Sequence, residues 1–400
     1  MPSGPPLDTA SNQRGLGTRA VHPPVPPPQP GVPVAPVLDQ ASTYAFTDSA
    51  EFAIASADKV GSGYVYTRWA NPTTDAFAAA MADLEGTEEA ESFSSGMAAI
   101  SAVFLALCSP GDRIVSARQL YGGTHSLTTG LLPRFGIETT LCDVDDYDSI
   151  KVALQDARLF YCESIGNPAI RVADLTQLGE LAADAGVPMV VDNTFASPVL
   201  CRPAEYGATA VIHSATKFIG GHHDLIGGVM CGDAETISRV RGWTRELGPT
   251  LAPFNAWLCL RGLATMPLRV ERSSASALEI ARFLASSNAI DGVFYPALDS
   301  SPDKELCDRI LGGRGGGTLA FSVAAGKTSA AGFQDRLELI KAAASLGGSH
   351  SLIVHAASVT HTQLSDNELR AAGISPGFCR LSVGLEDVDD LIEDLEQALS

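Results

Sequence analysis

None of the eight cysteines forms a Cys-x-x-Cys pair; they stand singly at 108, 142, 162, 201, 231, 259, 307 and 379, several inside apolar runs. That spacing excludes a zinc ribbon and speaks against a disulfide framework, and it predicts buried free thiols in a reducing compartment. Long apolar runs are also missing. No stretch approaches the ~20 residues that cross a bilayer, and no N-terminal segment pairs a charged start with the apolar centre of a signal peptide. A cytoplasmic protein with no membrane contact is expected. Basic charge is scarce: 27 Lys and Arg face 46 Asp and Glu, for a net charge of -19. Phosphate backbones are bound by clustered Lys and Arg, so a nucleic-acid surface is excluded. The acidity is spread along the chain and reads as a solvated exterior.

Two further motifs fall away. His222-His223-Asp224 sets adjacent histidines on diverging directions, with no third ligand at useful spacing, so no metal site is expected. The glycine-rich residues 312–317 lack the Lys-Ser/Thr of a phosphate loop and read as a flexible connector.

What is present is material for a large core: 400 residues, 45% hydrophobic and only 18% charged, enough for two domains. The first forty residues carry Pro23, Pro24, Pro26, Pro27, Pro28, Pro30, Pro33 and Pro36. They are expected to form no helix and to run as an extended arm, one that docks, because residues 32–38 alternate and lead into Tyr44 and Phe46. From about residue 71 helical spacing alternates with short apolar runs. Helices are predicted at 74–84, 96–107 and 175–185, and strands at 113–117, 137–142, 159–163, 188–192 and 210–213. Such alternation implies an α/β fold with a mainly parallel sheet sandwiched by helices, whose ligands bind beyond the carboxyl ends of the strands. Glu163, Asp192 and Ser214 to Lys217 fall at those ends. After Pro267 a long helix (268–284), a strand (318–323) and a helix (333–344) suggest a smaller α+β C-terminal domain. The expected division is an arm over 1–70, a large domain over 71–266 and a small one over 267–400.

Lys217 ends the apolar run Val211-Ile212-His213-Ser214-Ala215-Thr216-Lys217, just before a glycine turn. A lysine held among apolar walls loses solvation of its charged form, and its neutral amine can form a Schiff base with a carbonyl cofactor. A lysine snorkelling from a strand end is the ordinary alternative. A pyridine-type electron sink also requires a carboxylate for the ring nitrogen, an aromatic face and a phosphate cradle. Asp192 closes the strand before Asn193-Thr194. Tyr121 stands on the glycine turn Tyr121-Gly122-Gly123-Thr124. Ser95-Gly96-Met97 opens a helix, where free N–H groups favour an anion, and Ser214 and Thr216 add hydroxyls.

In their order these pieces resemble the pyridoxal-phosphate enzymes of cysteine and methionine metabolism, a family that includes cystathionine synthases and lyases, methionine γ-lyases and O-acylhomoserine sulfhydrylases. The resemblance covers nearly the whole chain. It is carried by Tyr64-Val65-Tyr66-Thr67-Arg68-Trp69-Ala70-Asn71-Pro72-Thr73, Ser94-Ser95-Gly96-Met97, Val191-Asp192-Asn193-Thr194-Phe195, Ser214-Ala215-Thr216-Lys217 and Arg380-Leu381-Ser382-Val383-Gly384. It implies the fold type I of pyridoxal-phosphate-dependent transferases. It also implies pyridoxal 5'-phosphate linked to Lys217, Asp192 on the pyridine nitrogen, and Tyr121 stacked on the ring. The phosphate would be held by Ser95, Gly96, Met97, Ser214 and Thr216, with Tyr66 and Arg68 reaching it from a neighbouring subunit. Arg380, with Ser345 and Asn167, would take the substrate α-carboxylate, a task suited to a planar guanidinium fork. A homotetramer of paired dimers with shared active sites is implied as well.

Reaction choice falls to the distal pocket. Relatives that handle cystathionine place charged side chains at positions that match Val65, Ser126 and Ala344, none of which is charged here. Holding a zwitterionic tail without a paired charge leaves its desolvation uncompensated. A short neutral γ-group is therefore expected, the thiomethyl of methionine or an acyl ester of homoserine. Cystathionine, or an unusual γ-substituted amino acid of specialised metabolism, is the alternative. Gly220-Gly221-His222-His223-Asp224 resembles the lyases. Glu163-Ser164-Ile165-Gly166-Asn167-Pro168, Pro253-Phe254-Asn255-Ala256 and Val359-Thr360-His361-Thr362-Gln363-Leu364 resemble O-acetylhomoserine sulfhydrylases. Gly123 replaces the cysteine typical of methionine γ-lyases.

Overall fold

The computed structural model describes residues 14–24, 33–58, 63–355, 359 and 375–400. Pro26, Pro27, Pro28, Pro30, Val32 and the motif residues 360–364 lie outside them.

A seven-stranded sheet is built from β1 (Glu89–Phe93), β2 (Arg113–Ala117), β3 (Glu138–Cys142), β4 (Leu159–Glu163), β5 (Met189–Asp192), β6 (Ala210–His213) and β7 (Gly228–Gly232). Its order is β1-β7-β6-β5-β4-β2-β3. Strands β2 to β6 pair in parallel, and β7 runs antiparallel to both β6 and β1. The central strands β4 and β6 are buried throughout, as sheets covered on both faces require. One cover is the helix Gly96–Leu107, whose Phe104 ring meets Tyr161 of β4 edge to face at 5.2 Å. Register aligns Glu163 with Asp192 and Asp192 with Ile212. The ends of three adjacent strands thus bring two carboxylates and the lysine segment to one edge.

Local chemistry sets the helices that feed this edge. Asn71 caps Pro72–Glu85 by accepting from the N–H groups of Thr73 and Thr74, and Gly86 ends it in the left-handed region at φ 76°. Ser95 caps Gly96–Leu107 by accepting from Ala98 N–H at 3.0 Å.

The helix Met266–Ser286 leads into a second sheet of β8 (Ile290–Phe294), β9 (Thr318–Val323), β10 (Lys341–Ala342), β11 (Leu352–His355) and β12 (Phe378–Ser382). Its order is β10-β11-β12-β9-β8, and β12 carries Arg380. All eight cysteines are free and buried. Among the described residues no helix is long and apolar enough to cross a membrane.

Three expectations need correction. The first forty residues do contain a helix, Leu16–Val21, which ends before Pro23 and is anchored by a buried Arg19–Asp83 ion pair at 2.9 Å. A second helix, Ser49–Asp58, interrupts the supposed arm. The helix predicted over 333–344 instead spans Lys327–Arg336. The Asp394 carboxylate accepts the N–H groups of Glu338, Leu339 and Ile340 at 2.8, 3.0 and 2.8 Å, which draws the chain out of helical geometry. The 312–317 connector is tied rather than flexible at its far end. Gly315, Gly316 and Gly317 are buried there, and Tyr295 Oη donates to Gly316 O at 2.9 Å.

Candidate active site

Lys217 is half-buried, and its Nζ donates to Ser345 Oγ at 2.7 Å. Burial, and secondarily the charge of Arg380, bring its amine down from the ordinary lysine range to about 8. Ser345 sits at φ 98°, a left-handed conformation rare for a residue with a side chain. Its carbonyl accepts from Arg380 Nη2 at 3.1 Å, and Arg380 Nη1 donates to Asn167 Oδ1 at 2.7 Å. The structure therefore brings Lys217, Ser345, Arg380 and Asn167 into one connected cluster across the two sheets. Burial lowers Arg380 to about 10, which leaves it charged at neutral pH.

Asp192, at the partly exposed end of β5, accepts from Thr194 N–H at 2.9 Å and from Tyr161 Oη at 3.4 Å. Burial raises its carboxyl, against the pull of Thr194 and the nearby His213. Thr194 Oγ1 in turn accepts from Ser214 N–H at 2.8 Å, joining the carboxylate strand to the lysine strand. Behind them, Glu85 Oε1 meets His213 Nε2 at 2.5 Å and accepts from Asn193 Nδ2 at 3.1 Å.

The helix start at Ser95-Gly96-Met97 lies against Ser214. A Cβ on Gly96 would stand 2.7 Å from that of Ser214, so only glycine lets the two segments meet. Thr216 Oγ1 is engaged by Gly227, accepting its N–H at 3.1 Å. Tyr121, half-exposed, lies over Gly123, where a Cβ would be 2.5 Å from Tyr121 Cε1 and 3.1 Å from Met97 Sδ. The ring thus takes the space that a side chain at 123 would need.

Other predicted residues stand apart from this cluster. Tyr66 and Arg68 are exposed; the Arg68 guanidinium lies 5.7 Å from the Tyr66 ring centre and donates to Arg245 O. Their described contacts do not reach Lys217. Ala344 adjoins Ser345 and is exposed, as is Ser126, while Val65 is half-buried. One member of the site, Thr194, was not singled out from sequence and carries no pattern of its own. Glu163 was marked only as a strand end, with no role read for it.

The donor set suits pyridoxal phosphate on grounds internal to the structure. Among the described residues no ion pair reaches Asp192, so a half-buried carboxylate is left without a counter-cation, as a partner for a pyridinium would be. Arg380 Nε is buried without a hydrogen-bond partner, a donor left over for a substrate oxygen. The glycine start of the Gly96–Leu107 helix offers unpaired N–H groups for a phosphate.

Comparison with known proteins agrees. The Cys/Met metabolism PLP-dependent enzyme family is matched over residues 17–400. The O-succinylhomoserine sulfhydrylase of Pseudomonas aeruginosa is 39% identical, the match covering 91% of this chain and 90% of that protein. The L-methionine gamma-lyase of Pseudomonas putida is 37% identical, with 96% and 97% covered. The crystal structure of cystathionine gamma synthase from Xanthomonas oryzae pv. oryzae, in complex with aminoacrylate and cysteine, superposes with a TM-score of 0.90 at 35% identity, covering 96% of this chain and 98% of that one. A match running through both sheets and every segment of the site has one meaning: the chain belongs to the Cys/Met metabolism family of PLP-dependent enzymes, and pyridoxal 5'-phosphate is its cofactor.

Proposed function

We propose that the enzyme catalyses γ-elimination or γ-replacement on an L-amino acid with a short, neutral γ-substituent of the methionine or O-acylhomoserine type. One observation carries this: a single residue, Ser345, meets the Lys217 amine at 2.7 Å through its hydroxyl and the Arg380 guanidinium at 3.1 Å through its carbonyl. A group that moves protons and a fork that holds a carboxylate thus share one anchor. When bound, pyridoxal phosphate supplies an electron sink for charge developing at the substrate α-carbon.

The chain's residues do the rest. Arg380 and Asn167 bind the α-carboxylate and fix which bond faces Lys217. Lys217 Nζ, partly neutral near pH 8, takes the α-proton and returns protons along the side chain. Asp192 would hold a proton on the pyridine nitrogen, and Tyr121 would pack on the ring. Ser95, Gly96, Met97, Ser214 and Thr216 cradle the phosphate. Tyr66 and Arg68 complete it from a neighbouring copy, which fits their exposure here and a homotetramer with shared sites in the cytoplasm. Residues 71–266 serve as the cofactor-binding domain and 267–400 as the smaller domain that supplies Ser345 and Arg380.

Val65, Ser126 and Ala344 leave the far end of the pocket without charge, which favours a neutral γ-group. The similarity to a cystathionine gamma synthase supports the second reading, cystathionine as substrate or product. Product analysis with a panel of γ-substituted amino acids, with and without sulfide or methanethiol, separates them. A 2-oxo acid and ammonia mark elimination, a new thioether marks replacement, and preferred use of cystathionine would overturn the neutral-pocket reading.

A further inference from the structure

Glu163 closes β4 directly beside Asp192 at the end of β5, and it is 6% exposed. Setting two carboxyl groups side by side in the interior is expensive, and burial and then Asp192 push Glu163 well above the usual carboxyl range. Its two oxygens point to different segments. Oε1 accepts the Tyr121 N–H at 2.6 Å, and Oε2 accepts the Asn167 N–H at 3.2 Å. From Asn167 the contacts continue through Oδ1 to Arg380 at 2.7 Å, then from Arg380 to Ser345 O at 3.1 Å, and from Ser345 Oγ to Lys217 at 2.7 Å. A hydroxyl or amide at this place offers one acceptor atom; a carboxyl group offers two, aimed apart.

We infer that Glu163 is a positioning residue for the reaction. It sets the Tyr121 ring and the Asn167–Arg380 pair relative to each other, so that one buried side chain fixes both the cofactor face and the carboxylate clamp. The inference rests on the cofactor and substrate roles proposed above for Tyr121 and Arg380. It explains why a costly second carboxyl group is kept beside Asp192: it ties Tyr121, 42 positions away in sequence, to Asn167, 4 positions away.

The test uses the full-length enzyme carrying Glu163→Gln, nearly equal in size but with a single acceptor oxygen. Two constants are measured by absorbance titration: that of the apoenzyme for pyridoxal 5'-phosphate, and that of the holoenzyme for L-norleucine. Norleucine offers an α-carboxylate and an apolar side chain with no leaving group, so the second constant does not depend on which substrate is natural. The amide keeps at most one of the two contacts and sets its NH2 group against the other N–H, displacing the side chain that joins the two segments, so both constants should rise about fivefold or more. In an Asn167→Ala background, Glu163→Gln should add less than about threefold to the norleucine constant while still raising the cofactor constant, a coupling that general destabilisation would not produce.

Constants within about threefold of the parent, or a rise in only one of them, overturn the inference. Should Glu163→Gln fail to fold, Glu163→Asp, drawn back by one methylene, carries the same expectation for both constants. Failure of the underlying assignment shows separately, as a parent enzyme that forms no lysine-linked cofactor, and it overturns the inference too.

Discussion

The Nζ of Lys217 and the Oγ of Ser345 meet at 2.7 Å although 128 positions separate them in the chain. The contact spans the two sheets: Lys217 follows β6 of the larger one, and Ser345 follows β10 of the smaller. Ser345 adopts its left-handed φ of 98° at this junction, a conformation that persists only where the surroundings over-determine it. The strain is stored where the carboxylate clamp and the reactive amine come together.

The depressed pKa of Lys217 has a consequence for cofactor binding. Below about pH 8 its amine is mostly protonated, and above that value it is mostly free. Only the free amine attacks an aldehyde, so the second-order rate of reconstitution of apoenzyme with pyridoxal 5'-phosphate should rise through about pH 8 and then level. Stopped-flow absorbance across pH 6.5 to 10 checks this. A rate still climbing severalfold between pH 9 and pH 10 would signify an ordinary lysine, with a pKa of roughly 10.4.

Asp192 is the carboxylate expected to face the pyridine nitrogen. Asp192→Ala removes a charge-assisted contact worth roughly 1.5–3 kcal/mol, so the cofactor dissociation constant should rise about tenfold or more and turnover should fall with it. Equilibrium dialysis of the purified variant gives the constant. Unchanged retention and activity would remove Asp192 from the site.

The uncharged distal positions Val65, Ser126 and Ala344 predict the order of substrates. At equal enzyme concentration, kcat/KM for cystathionine should be at least about tenfold below that for L-methionine or O-acetyl-L-homoserine, because the distal zwitterion is desolvated without a counter-charge. Comparable values would falsify the neutral-pocket argument.

Much of this site was legible in the sequence, and the reason is geometric. A parallel strand buried on both faces reads as a short apolar run, so its polar terminus stands out; Asp192 and the Ser214–Lys217 segment were visible that way. Arg380 became legible only through the resemblance, since nothing local distinguishes an arginine within a buried strand. The pairing of Glu163 with Tyr121 and Asn167 was not legible, because a side chain accepting from backbone N–H groups leaves no sequence period. The same limit produced the wrong helix over 333–344, whose spacing was overruled by Asp394 taking three N–H groups from more than fifty positions away. Residues 312–317 read as a flexible connector because composition does not reveal that Tyr295 packs on Gly315 and donates to Gly316.

The account stands or falls on Lys217. The direct measurement is reduction of the holoenzyme with borohydride, followed by proteolysis and mass spectrometry of the pyridoxyl-labelled peptide, alongside the spectrum of Lys217→Ala. The expected result is a label on Lys217 in the parent, with loss in the variant of both turnover and the lysine-linked band near about 420 nm. A label on another lysine, or a variant that keeps the band and its activity, would contradict it.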